Sequence, residues 1–168
     1  FILDRSGQPP VVRSIDIGVV RLSERMLRSD PPTTGEVSDA RDRVRRETSA
    51  AIAEMPRSPG LSFIGTAGTI TALAAMAQQL PAYQPARIHN YQLMLKTVQE
   101  LEQALLSRKK ADRVGLPGLE KNREDVIAAG AIILRTVMET LGMSNVLVSD
   151  LGLREGVLLN LAGRPNQG

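Results

Sequence analysis

The stretch FIGTAGTITALAAM, Phe63 to Met76, decides the fold. An apolar approach runs into five small residues, Gly65 to Thr69, and apolar positions at helical spacing follow. This pattern predicts a strand, a tight turn and a helix that begins near Thr69. The unpaired amides and positive dipole end of such a helix suit a phosphate, but small residues also suit a turn that needs them only for packing. The residues alone leave both explanations open.

A second switch from strand to helix lies at SDLGLREG, Ser149 to Gly156. We expect Asp150 to cap the last helix, with Leu153 and Val157 facing the core. Arg154 then emerges in the first helical turn, where a cation is disfavoured by the helix dipole and needs an anionic partner. That partner is either a ligand or a neighbouring carboxylate in a salt bridge.

The rest of the chain predicts an α/β domain with a mixed sheet, because strands alternate with amphipathic helices. Predicted strands cover residues 1–4, 11–17, 61–64 and 146–148, with a turn at 6–10 between the first two. Predicted helices cover about 20–27, 36–55, 69–80, 94–105, 126–141 and 151–162. The apolar face of the second helix consists of Val37, Ala40, Val44, Thr48 and Ala51. Ligands of open α/β sheets gather at the carboxyl ends of the strands, and both switches point there.

Composition excludes several classes of function. With 168 residues, 42% of them hydrophobic, the chain suits one soluble domain, and no apolar run approaches a membrane span of about 20 residues. We therefore expect a cytoplasmic protein with no membrane partner. The absence of cysteine excludes disulfides, thiolate metal sites and a cysteine nucleophile.

The charged residues indicate anion binding without identifying a catalyst. Arginine outnumbers lysine 17 to 4, but the 2% of aromatic residues offers little for base stacking, so nucleic acid is not the expected partner. The lone His89 is interpreted as an ordinary polar loop residue. The acids of 120–125 are interpreted as capping the helix that follows them. No catalytic triad, metal-ligand spacing or general base is visible.

Four segments, in this order and spacing, resemble the exopolyphosphatase / guanosine pentaphosphate phosphohydrolase family. They are SIDIGVVRLSERMLRSDPP (14–32), GTAGTITALAAM (65–76), GLPGLEKNREDVIAAGAIIL (115–134) and VSDLGLREGVLL (148–159). The resemblance implies a ribonuclease-H-like lobe of the actin-like ATPase superfamily, with a mixed sheet flanked by helices. It also implies removal of terminal phosphate from polyphosphate or guanosine pentaphosphate, by water attack assisted by a divalent metal such as Mg²⁺.

The resemblance assigns phosphate binding to eight residues of this chain: Gly65, Thr66, Ala67, Gly68 and Thr69 as the phosphate loop, then Arg154, Arg21 and Arg123. The family usually has Gly or Ser at position 67, so the alanine here predicts that no positive φ is needed there. No catalytic or metal-binding residue is assigned to this chain.

The same resemblance implies that residues 1–168 are a single domain, the carboxy-terminal lobe of a two-lobe enzyme whose catalytic lobe lies upstream and is absent. We expect this chain alone to be inactive and to self-associate, as a homodimer or larger species. The route would be pairing at a sheet edge left open by the missing first strand of the lobe, or exchange of the amino-terminal hairpin. Two alternatives remain: the nucleotide-binding lobe of an actin-like kinase relative, and a non-catalytic sensor of guanosine polyphosphates. The sequence does not choose between polyphosphate and guanosine pentaphosphate.

Overall fold

A computed structural model describes residues 1–56 and 60–163. Its strands are β1 (Ile2–Arg5), β2 (Gln8–Val12), β3 (Ile64–Thr66), β4 (Gln92–Met94) and β5 (Asn145–Ser149). Its helices are α1 (Val19–Met26), α2 (Thr34–Ala53), α3 (Gly68–Ala77), α4 (Pro85–Ile88), α5 (Leu95–Leu106), α6 (Ile127–Leu141) and α7 (Leu153–Ala162), with a 3₁₀ turn at Ala111–Arg113. Within the described residues, no helix has the length and apolar character needed to cross a membrane.

The central sheet is mixed, as predicted, with strand order β3-β5-β4. β3 runs parallel to β5, with Ile64 opposite Leu147, and β4 runs antiparallel to it, with Leu93 opposite Val146. β4 was not predicted, because three residues directly ahead of a helix show no period of their own. The helix expected from residue 94 accordingly begins at Leu95.

The amino-terminal hairpin forms a separate two-stranded sheet. The prediction that its second strand covers 11–17 is wrong, since β2 covers Gln8–Val12. Pro9 and Pro10 were interpreted as part of the turn, yet both lie in this strand, whose outer side has no strand partner among the described residues. The turn itself is short and uses Gly7 at a φ of 74°.

Helix α2 follows the sequence prediction closely. The five buried positions lie three or four residues apart, as an amphipathic helix requires: Val37, Ala40, Val44, Thr48 and Ala51. Thr33 caps the helix by accepting from the amide of Glu36, whose carboxylate in turn accepts from the Thr33 amide. This reciprocal cap fixes where α2 begins.

Helix α6 lies between two hydrophobic clusters and therefore has buried residues on more than one face. Ala128 and Ala131 pack into the cluster around the sheet, while Ala129 and Ile132 pack against α1 and α2. The helix ends at Gly142, which has a φ of 67° and so takes the left-handed conformation that favours glycine. This central position fixes the sheet against the α1–α2 pair.

Helix α7 departs from its prediction. Its N-cap is Gly152 rather than Asp150. Leu153 and Val157 were expected to face the core, but no residue of the helix is buried. The apolar spacing was read correctly as helical, but nothing within the described residues covers the helix.

Candidate anion-binding cleft

The two predicted switches meet at one edge of the sheet. Because β3 and β5 are parallel neighbours, their carboxyl ends lie side by side, and each is followed by a helix. A cleft of about 500 Å³ opens there, and its lining includes Thr66, Ala67, Gly68, Arg123 and Arg154. The fold thus brings five of the eight predicted site residues together.

Ala67 turns the chain from strand into helix with a φ of 80° and a ψ of 167°. The prediction that position 67 needs no positive φ is therefore wrong. This region of backbone space is essentially restricted to glycine, and an L-residue held there stores about 1–3 kcal/mol of strain. The Ala67 carbonyl accepts from the amides of Ile70 and Thr71 at 3.1 and 3.2 Å, so the first helical turn holds the residue in place.

The N-terminus of α3 begins at Gly68 in the cleft lining and has amides without a partner. Within residues 1–56 and 60–163, the amides of Gly68 and Thr69 donate to no protein acceptor. No acidic side chain lies in the first turn of this helix, and no side chain caps it. The positive end of the helix dipole is thus left for an external anion.

The N-terminus of α7 is already satisfied by its own residue. The Gly152 amide donates to Glu155 Oε2 at 2.7 Å. This hydrogen bond is the main reason that the pKa of Glu155 lies below its ordinary value. An ionised carboxylate therefore occupies the position that a phosphate would take, and the comparison favours α3 over α7 as the anion site.

The two glycines of the loop have different roles. A Cβ on Gly68 would lie 2.5 Å from Arg123 Nη1, so the missing side chain lets the guanidinium lie directly on the backbone. Arg123 is held there by Nε, which donates to Glu120 Oε2 at 2.8 Å. Gly65, by contrast, is buried, and a Cβ there would lie 2.5 Å from Ile70 Cδ1. Gly65 therefore fits the explanation that small residues are needed for packing. Gly68 fits the explanation that a missing side chain leaves the backbone accessible.

The two threonines serve the architecture of the loop. Thr69 is the second residue of α3 rather than its cap. Its methyl group packs closely on Gly130, since a Cβ built on that glycine would lie 2.3 Å from it. The Thr66 hydroxyl donates to the Leu151 carbonyl at 2.8 Å. This bond ties the first switch to the second, so the cleft is held between two connected loops.

The three arginines predicted to bind phosphate do not all lie at the cleft. Arg154 and Arg123 line the cleft, whereas Arg21 lies outside it and pairs with Asp16 on the protein surface. Arg154 makes no ion pair with any residue in the described ranges, so its guanidinium charge is available to a ligand. The structure thus brings two of the three arginines to the cleft.

Sequence reasoning missed the pair formed by Tyr83 and Asp150. The Tyr83 hydroxyl donates to the Asp150 carboxylate at the cleft wall. Burial and this bond raise the pKa of Tyr83 above its ordinary value. The Asp150 amide donates to His89 Nδ1 at 3.3 Å, so the His89 ring supports the same turn. These partners lie more than 60 residues apart, and no local pattern signals such a contact.

The acids before α6 were also misinterpreted. Helix α6 begins at Ile127 without an acid in its first turn and without a side-chain cap. Glu120 instead orients Arg123 in the cleft. Residues 120–123 form a turn rather than a helix, so no helical period in the sequence signals this contact.

The model of the Ppx/GppA phosphatase family matches residues 1–164. Exopolyphosphatase 2 of Mycobacterium tuberculosis is 39% identical over 94% of this chain and 51% of its own length. Exopolyphosphatase 1 of Mycobacterium leprae is 31% identical over 90% of this chain and 45% of its own length. The chain thus spans about half the length of the curated relatives it matches.

Solved structures give the same result for the fold. A crystal structure of a Ppx/GppA family member from Aquifex aeolicus matches with a TM-score of 0.84 and 29% identity, over 96% of this chain and 51% of that one. The type II variant from the same organism matches with a TM-score of 0.81 and 30% identity, over 91% of this chain and 49% of that one. The predicted fold class, a ribonuclease-H-like α/β lobe of the actin-like ATPase superfamily, is confirmed.

Proposed function

Because this chain belongs to the Ppx/GppA phosphatase family, we propose that it is the phosphate-binding lobe of a two-lobe enzyme. The whole enzyme hydrolyses terminal phosphoanhydride bonds of inorganic polyphosphate, of guanosine pentaphosphate, or of both. Two observations support this proposal: relatives named exopolyphosphatase match nearly the full chain, and they are about twice as long.

The open N-terminus of α3 carries the proposal. Phosphate oxygens accept from the amides of Gly68 and Thr69, while Arg123 and Arg154 balance the negative charge from the sides of the cleft. The two amides and Arg123 are fixed before the substrate arrives, because the first turn of α3 and the Glu120 contact hold them in place. Preorganised donors of this kind stabilise charge that develops on the phosphoryl oxygens during hydrolysis.

The side chains of the cleft do not suit a divalent metal of their own. Across residues 1–56 and 60–163, no group of three or more His, Asp or Glu side chains lies close enough together to hold one. Each cleft carboxylate also has a partner already: Glu120 has Arg123, Asp150 has Tyr83 and Glu155 has the Gly152 amide. We therefore assign the divalent metal that the family resemblance implies to the rest of the enzyme.

The same engagement of the carboxylates supports a general base that lies outside this chain. A base must reach the attacking water with a free acceptor, whereas the three cleft carboxylates hold positions in the wall. In the proposed enzyme, a carboxylate of the upstream lobe activates the water, and this chain positions the phosphates.

Phosphate release by the full-length protein tests the proposal. Polyphosphate, guanosine pentaphosphate and ATP are supplied separately, and we expect release from one or both of the first two. Arg154→Ala should lower kcat/KM on that substrate by about 10-fold or more, since it removes a charge from the cleft. The matched control, Arg46→Ala, removes the same charge from the exposed face of α2 and should have no effect.

Other results contradict the proposal and identify its alternatives. Turnover of ATP alone would indicate a kinase-like nucleotide lobe. Tight binding of guanosine pentaphosphate without phosphate release would indicate a sensor.

A further inference from the structure

The loop that carries Arg123 to the cleft is long and mostly irregular. It runs from residue 107 to 126, between α5 and α6, and its regular structure is limited to the 3₁₀ turn at Ala111–Arg113. Connections of this length are uncommon in compact domains and usually serve a function. With few backbone hydrogen bonds of its own, the loop depends on side-chain contacts to hold Arg123 beside Gly68.

Arg113 lies inside this loop and is only 1% exposed. Its guanidinium donates to three main-chain carbonyls: Nε to Leu105 at 3.0 Å, Nη2 to Arg108 at 2.9 Å and Nη1 to Glu124 at 3.0 Å. It forms no ion pair with any residue in the part of the chain that the structure describes. Burial of a cation is costly unless it is hydrogen bonded, so the three carbonyls compensate the charge in place of a carboxylate.

The three carbonyls belong to two different parts of the chain. Leu105 lies in the last turn of α5 and Arg108 follows that helix, where carbonyls lack helical partners and the helix dipole favours a cation. Glu124, by contrast, directly follows Arg123 in the sequence. The planar fork of arginine points its nitrogens in different directions, so one side chain bonds both places at once. Arg113 therefore ties the backbone beside Arg123 to the end of α5.

A second contact holds the same loop against α3. Gly118 has a φ of 80°, and a Cβ there would lie 2.4 Å from the Ala75 carbonyl carbon, so the loop backbone packs directly on the last turns of α3. Farther along the loop, Arg123 contacts Gly68 at the first residue of the same helix. The path between these two contacts has to be held, and Arg113 holds it at the end nearer to Arg123.

We propose that Arg113 is a positioning residue for phosphate binding, which holds Arg123 over the Gly68 backbone through the Glu124 carbonyl. This inference rests on the proposed function, in which Arg123 balances phosphate charge. Arg113 is buried and does not belong to the cleft lining, so it acts on a ligand only through Arg123. Lysine cannot replace it, because a single ammonium group does not reach carbonyls on both sides.

A contact measured without any ligand tests the positioning. In the wild-type chain, a nuclear Overhauser effect should join the Gly68 α protons to the Arg123 side chain, since the two groups are in contact. Arg113→Lys should remove this effect, and so should Arg113→Gln, which buries no charge. The control is Arg108→Lys, which should keep it. Arg108 is exposed and also donates to a carbonyl at the end of α5, that of Ala104 at 2.6 Å, but its side chain does not bond Glu124.

The other results of this experiment overturn the proposal. A Gly68–Arg123 contact that persists in a folded Arg113 variant would show that Arg113 stabilises the loop without placing Arg123. Failure of both Arg113 variants to fold would show a purely structural role.

Tripolyphosphate affinity, measured by calorimetry, gives an independent test. Arg113→Lys should weaken binding about 5-fold in the wild-type background and have no effect in an Arg123→Ala background, because it acts through Arg123. Equal changes in the two backgrounds, or none in either, would overturn the proposal. A wild-type chain that does not bind tripolyphosphate would instead contradict the proposed function, and the Gly68–Arg123 contact would still decide the role of Arg113.

Discussion

At the scale of single residues, the most informative position is Ala67. Its backbone has a φ of 80° in a region that favours glycine, and it lies where the open amides of α3 begin. We expect Ala67→Gly to raise the free energy of unfolding by about 1 kcal/mol, because relief of strain exceeds the added entropy of the unfolded chain. Urea unfolding measures the change.

The control for Ala67→Gly is Ala50→Gly on the exposed face of α2, where the backbone is helical. There the same substitution should lower the free energy of unfolding by about 1 kcal/mol. Destabilisation by both substitutions would mean that position 67 is not strained.

A second residue-scale prediction separates the two loop glycines. Gly68→Val should displace the Arg123 guanidinium, which lies 2.5 Å from the new Cβ, and weaken polyphosphate binding by about 10-fold with little loss of stability. Gly65→Ala should instead destabilise the fold by about 1–3 kcal/mol, because its Cβ meets Ile70 and Val146 in the core. Calorimetric binding and urea unfolding of both variants check this split. If both variants lost stability to a similar extent and polyphosphate binding did not distinguish them, packing would be the role of both glycines.

At the scale of elements, the cap of α2 predicts a pH dependence. The Glu36 carboxylate accepts from the Thr33 amide, and this bond is the main reason that its pKa falls from 4.5 to about 2. A folded pKa below the unfolded one stabilises the fold above pH 4.5, and the stabilisation is lost as the pH falls toward 2.

Glu36→Gln should therefore destabilise the chain at neutral pH, and its difference from wild type should shrink in acid. Urea midpoints at about pH 7, 4 and 2.5 measure this difference. Glu100→Gln, on the exposed side of α5, is the control and should stay close to wild type throughout. A Glu36→Gln difference that does not change with pH would exclude the carboxylate as its cause.

The elements also show what the sequence could and could not predict. The periodicity of α2 named its five buried residues, because one face of a long helix packs and the other is solvated. The strand β4 was missed since three residues carry no periodicity, and β2 was misplaced because prolines are acceptable in an outer strand. The cleft loop was predicted from its small residues. The contact of Tyr83 with Asp150 depends on tertiary structure alone.

At the scale of the whole molecule, an open sheet edge predicts self-association. Among the described residues, β3 pairs with β5 on one side only, and Ile64 in this strand is 60% exposed. We expect light scattering to show that the average mass of the 168-residue chain rises with concentration, and that Ile64→Lys suppresses the rise by charging the edge. A monomer at every concentration would contradict this prediction.

The central claim is that the amides at the start of α3 bind phosphate, and an amide NMR titration of the nitrogen-labelled chain with tripolyphosphate tests it most directly. The account predicts that the largest shifts occur at Gly68 and Thr69, because the amides of these two residues have no protein acceptor among the described residues. The amide of Gly152 should move little, since Glu155 already accepts from it. Unmoved signals at Gly68 and Thr69, with the largest shifts at Gly152 or along the arginines of α2, would contradict it.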